Sequence, residues 1–70
     1  MEALKVNDRV KAILPCDGKD SVQYERGLVI YVGRRALVKF DSFICGHNGN
    51  GLSEDGYCWM MNQELLEKEN

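Results

Sequence analysis

Gly46-His47-Asn48-Gly49-Asn50-Gly51 is the stretch of this chain best equipped to do chemistry. Three glycines in six residues let the backbone aim several N–H groups at one point, as in an anion-binding nest. His47 and the side chains of Asn48 and Asn50 add donors. Arg34, Arg35 and Lys39, a few positions earlier, add charge. Two adjacent arginines also suit bidentate contact with phosphate or carboxylate. The expected ligand site is therefore Arg34, Arg35, Lys39, Asp41, His47, Asn48, Gly49, Asn50 and Gly51, and its expected occupant is a small anionic, nucleotide-type molecule. Asn-Gly twice in succession is also ordinary turn chemistry. The loop matches neither a P-loop nor a dinucleotide fingerprint, since no Lys-Ser/Thr and no crossover helix follow it.

Cys45, His47, Cys58 and Asp41 are metal-ligand residue types, but none forms the close Cys-x₂₋₄-Cys pair of a structural zinc site. No metal and no cofactor are expected. Nucleophilic catalysis by Cys45 or Cys58 with His47 would need a third group and a walled cleft, for which a barrel of 70 residues has little room. A non-enzymatic binding protein is the expectation. Among the aromatics, Phe40 and Trp59 read as core. Tyr31, Phe43 and Tyr57 are the candidates for contact with a partner, because Tyr and Phe rings suit interfaces.

These residues need elements to hold them. Residues 8–14 alternate polar and apolar side chains, the period of a half-buried strand. Pro15 and the run from Cys16 to Asp20 then break it with turn chemistry. Leu28–Val32 and Ala36–Phe40 flank the short turn Gly33-Arg34-Arg35 and read as a hairpin. Strict alternation along it groups Ala36, Val38 and Phe40 on one face, and Leu28, Ile30 and Val32 on one face. Gly27 marks a bulge or a sharp bend. Residues 41–56 form a long polar loop, residues 57–61 a strand, residues 62–64 a 3₁₀ turn, and Leu65-Leu66 a last short strand. The expected fold is all-β, a small five-stranded barrel in one domain spanning residues 1–70. Closing the sheet would remove its exposed edges.

Asn7-Asp8-Arg9-Val10-Lys11, Arg26-Gly27-Leu28-Val29-Ile30 and Ala36-Leu37-Val38-Lys39-Phe40-Asp41 resemble the strands of SH3-like barrels of the KOW and Tudor sort. Val38-Lys39-Phe40-Asp41, the loop Gly46–Gly51 and Cys58-Trp59 resemble short uncharacterised phage and prophage proteins. Met60 stands where that pattern often carries a second aromatic. The second resemblance implies a host-takeover or anti-defence factor that blocks a protein or sequesters a nucleotide signal.

Composition narrows the classes further. The chain is 44% hydrophobic and 29% charged with a net charge of -2, which excludes a disordered tail. Residues 1–40 carry eight Lys/Arg against five Asp/Glu, whereas residues 41–70 carry one Lys against six Asp/Glu. That acidic second half argues against generic nucleic-acid binding, which needs a dense cationic surface. No apolar run approaches the roughly 20 residues of a membrane span. Met1-Glu2-Ala3-Leu4-Lys5 lacks the basic start and apolar run of a secretory leader. Three cysteines cannot all pair within one chain, which points to a reducing cytoplasm. The expected partner is the anionic ligand or a host protein that docks on the same loop and aromatics; a third reading is weak RNA or DNA contact of the KOW or Tudor kind, which the acidic balance disfavours. A homo-oligomer is expected, because further copies would supply walls that one small barrel lacks.

Overall fold

Turn chemistry and β-branched runs divide this chain into five short strands. A computed structural model describes residues 3–69; Met1 and Glu2, part of the stretch read for a leader, and Asn70 lie outside the described residues. Strand β1 is Arg9–Ala12, with Val10 and Ala12 buried and the polar residues between them half-buried. After it, past Pro15, Asp17 and Gly18 turn the chain with positive φ, and a 3₁₀ turn, Asp20–Val22, follows. Strands β2 (Arg26–Val32) and β3 (Arg35–Phe40) are joined at Gly33-Arg34, where the Gly33 N–H donates to the Arg35 carbonyl. After the long loop come β4 (Cys58–Asn62), a second 3₁₀ turn (Gln63–Leu65) and β5 (Leu66–Lys68).

All pairings are antiparallel and the order is β4-β3-β2-β1-β5. The protein is all-β, as its sequence implies. The expected closed barrel is not what the strand pairing gives, because β4 and β5 stand at the two ends of an open sheet. Two local reasons apply. The free edge of β4 is taken at Cys58 by His47 of the loop, and β5 has only three residues with which to pair.

Val10, Ala12, Val29, Ala36, Val38, Phe40, Met61 and Leu66 form the inner face of the sheet. Leu4, Cys16, Val22 and Ile44 cover it from the connections, and Trp59 packs against the cluster from its margin. Ala36, Val38 and Phe40 share this face, as period-two alternation requires. Strand β2 departs from strict alternation. Its register to β3 shifts between Val29 and Tyr31, leaving Ile30 as the extra residue of a bulge. Consequently Val29 is fully buried and Val32 packs on the same core, while Leu28 and Tyr31 face the other side. The expected grouping of Leu28, Ile30 and Val32 is thereby corrected. Gly27 stands where β2 and β3 approach closely; a Cβ there would lie 2.6 Å from the Lys39 carbonyl oxygen.

Candidate functional site

The loop of residues 41–56 is folded back against the sheet. The Ile44 and Gly46 N–H groups both donate to the Gly56 carbonyl, and His47 and Cys58 exchange two backbone bonds of 2.9 Å. This segment therefore runs along β4 as a partial extra strand. Gly46 is required by that pairing, since a Cβ would meet the Cys58 carbonyl oxygen. Beyond His47 the chain forms a tight turn. The Ser53 N–H donates to the Asn48 carbonyl and the Leu52 N–H to the Gly49 carbonyl. Gly49, with φ of 63°, presses on the outer face of the sheet, so that a Cβ there would come 2.9 Å from Leu37.

That contact explains why Leu37, between two core residues but on the opposite face, is 4% exposed. Between the turn and the sheet lies an open cleft of about 560 Å³. Its floor is Leu37, Met60 and Tyr31; its other wall is His47, Asn48, Gly49, Asn50 and Leu52. The lining carries no carboxylate, lysine or arginine. Its polar groups are one imidazole, two side-chain amides and backbone. Among the described residues, the backbone N–H groups of Asn48 and Asn50 have no protein partner. Nδ1 of His47 accepts from the Gly49 N–H at 2.9 Å, which leaves Nε2–H as the ring's donor. The His47 ring lies 5.5 Å from Trp59, which also contacts Lys19, with Nζ 5.1 Å from the indole centroid.

A second cleft of about 420 Å³ opens on the same outer face, lined by Arg9, Leu28, Lys39, Phe40, Asp41, Glu54 and Tyr57. Arg9 holds both oxygens of Asp41, at 3.1 and 2.5 Å. Those hydrogen bonds, helped by the charges of Arg9, Arg26 and Lys39, hold the Asp41 carboxyl below its ordinary range against an opposing effect of burial. Lys39 and Leu37 are successive outer-face residues of β3, so the two clefts are about 7 Å apart along one strand.

The structure thus brings His47, Asn48, Gly49 and Asn50 together with Tyr31, places Lys39, Asp41 and Tyr57 next door, and leaves the arginines elsewhere. Arg34 is exposed at the hairpin tip and lines neither cleft. Arg35 is committed to Asp17 at 2.7 Å, to Asn62 at 2.8 Å and to Cys16 Sγ at 3.3 Å, and Asp17 above all keeps its guanidinium charged. Gly51 lies in the same turn, its N–H donating to Asn48 Oδ1. Phe43, 62% exposed, stands edge-on to Tyr57 with centroids 5.8 Å apart. Cys16 and Cys58 are buried and Cys45 is exposed; among the described residues no group of three His, Cys, Asp or Glu is placed to hold a metal.

Leu37, Met60 and Leu52 were not apparent as site residues from sequence. The available signal was the unbroken run Ala36-Leu37-Val38, since a strand apolar on consecutive positions is covered on both faces. No family model, curated protein or solved structure matches the chain. Among the described residues no helix is long and apolar enough to cross a membrane.

Proposed function

We propose that this protein is a non-enzymatic capture protein for a small nucleotide-type ligand, held in the cleft between the 47–52 turn and the outer face of β3 and β4. One observation carries the reading: an apolar floor of Leu37, Met60 and Tyr31 faces a rim of amides and an imidazole. Such a combination suits a flat heteroaromatic ring, buried by its faces and read at its edge by hydrogen bonds. The lining has no formal charge, so the anionic part of the ligand belongs outside it. Lys39, about 7 Å along β3, is the cation within reach. The charge comes from Lys39 in this reading, and Arg34 and Arg35 have no part in it.

The cleft is open: Leu52 in its wall and Tyr31 in its floor are 64% and 50% exposed. A second copy of the chain would supply the missing wall, in keeping with a homo-oligomer. The resemblance to phage-type proteins fits sequestration of a nucleotide signal in the cytoplasm.

The test is thermal unfolding against a panel of nucleotides, cyclic dinucleotides and ADP-ribose derivatives. A true ligand at about 100 times its dissociation constant adds about 2.7 kcal/mol of stability. The expected response is confined to one ligand class, lost in Tyr31→Ala and Lys39→Ala, and kept in Arg34→Ala. A flat response across the panel would sink the proposal. It would leave the second reading, in which the exposed Phe43–Tyr57 pair and the loop dock on a host protein.

A further inference from the structure

The loop holds two Asn-Gly pairs, Asn48-Gly49 and Asn50-Gly51, chemically identical in sequence and different in surroundings. In such a pair the glycine nitrogen can attack the preceding side-chain amide, because glycine has no Cβ to obstruct the approach. The attack requires removal of the proton on that nitrogen and is helped by polarising the amide carbonyl under attack.

Both aids are present at Asn48. The Gly49 N–H donates to Nδ1 of His47 at 2.9 Å, so an unprotonated ring nitrogen already holds the proton that must leave. The Gly51 N–H donates to Oδ1 of Asn48 at 3.1 Å and draws electron density from the carbon to be attacked. Asn50 has neither. The Gly51 N–H that follows it is engaged by Asn48 rather than by a base, and among the described residues nothing donates to the Asn50 side chain.

We propose that Asn48 is a self-catalysed deamidation site with His47 as its base. Nδ1 of His47 takes the proton of the Gly49 amide, and the Gly49 nitrogen bonds to Cγ of Asn48. The Cγ–Nδ2 bond breaks, and Nδ2 takes the proton back from His47 and leaves as ammonia. The product is a five-membered succinimide. Water then opens the ring to an aspartyl or isoaspartyl residue at position 48. The net change consumes one water, releases one ammonia, oxidises nothing and places a negative charge on the rim of the cleft. It is independent of what the cleft binds.

The experiment is incubation of the intact folded protein at neutral pH and body temperature, with peptide mapping by mass spectrometry that resolves positions 48 and 50. The folded protein should deamidate at Asn48 about tenfold or more faster than at Asn50. That is less than the 10²–10⁴ typical of a positioned base, because the turn must still flex to bring nitrogen onto carbon. In concentrated urea the two rates should converge. His47→Gln, checked for folding by circular dichroism, should lower the Asn48 rate to that of Asn50 while leaving Asn50 unchanged. Equal rates in the folded protein, a faster Asn48 reaction in urea, or an undiminished rate in the folded variant would each overturn the proposal. Should the variant fail to fold, the folded-against-urea comparison on the unaltered chain decides alone.

Discussion

The indole N–H of Trp59 donates to the backbone carbonyl of Cys16 at 3.1 Å, joining β4 to the connection after β1 across 43 positions of sequence. Lys19 continues the attachment, with its ammonium on the Cys45 carbonyl at 2.7 Å, and Ser21 Oγ donates to the Ile44 carbonyl at 2.7 Å. The loop that carries the cleft is thus anchored on residues far from it in the chain. Trp59→Phe keeps the aromatic packing and removes one donor. The Cys16 carbonyl retains the Lys19 N–H, so the loss should be about 1 kcal/mol or less in urea unfolding followed by circular dichroism.

Gly27→Ala and Gly18→Ala should separate two kinds of glycine. At Gly27 the new methyl would meet backbone, 2.6 Å from the Lys39 oxygen and 2.9 Å from Phe40 Cα. The strands would have to part, at about 1–3 kcal/mol or more. Gly18 has open space but φ of 75°, so only backbone strain opposes the change, at about 1 kcal/mol. Unfolding midpoints of the two variants should therefore rank Gly27→Ala well below Gly18→Ala.

Acid should weaken the link between β1 and the start of the long loop. The Asp41 carboxyl is held below its ordinary value of 3.8, chiefly by its hydrogen bonds to Arg9. A depressed carboxyl adds stability that is fully present above the unfolded value and lost as pH falls through the folded one. Both side chains are about half exposed, so solvent screening limits the effect to about 0.2–1 kcal/mol. Melting temperatures at neutral pH and near pH 3 should therefore differ more for the unaltered protein than for Asp41→Asn, and added salt should shrink the difference.

Leu37 joins the cleft to the sheet. Leu37→Ala removes the side chain on which Gly49 rests and should cost about 2–5 kcal/mol. The backbone amides of residues 47–53 should also exchange with solvent faster, measured by hydrogen exchange relative to β2. Equal protection in the variant would show that the turn holds itself without the sheet.

Much of the strand content was legible because Val, Ile, Phe and Leu recur between Gly, Pro and Asp. The hairpin, the 3₁₀ turn before the last strand and the burial of Phe40 all follow from that pattern. The bulge at Ile30 was not legible, since an extra residue changes the register without changing composition. Arg34 and Arg35 showed why charge near a loop in sequence is a weak guide: Arg35 is engaged by Asp17, Asn62 and Cys16, and Arg34 stands on a hairpin tip that the cleft does not reach. Likewise Tyr31 could be read as exposed, but not as facing His47 across a cleft, because only the folding of the 41–56 loop onto β4 puts them together.

The surplus residue at Ile30 also bears on how this sheet could have changed in length during its history. Delete it, and Leu28, Val29, Tyr31 and Val32 fall into strict alternation with the same partners they have now. A deletion within β3, whose register to β4 has no surplus residue, would transpose the flanking residues, sending core side chains to the solvent face and cleft side chains inward. Strand β2 therefore contains a position where the reading of the two faces is buffered against loss of a codon. Variation in length is best sought there and in the 47–52 turn, and variation by substitution everywhere else.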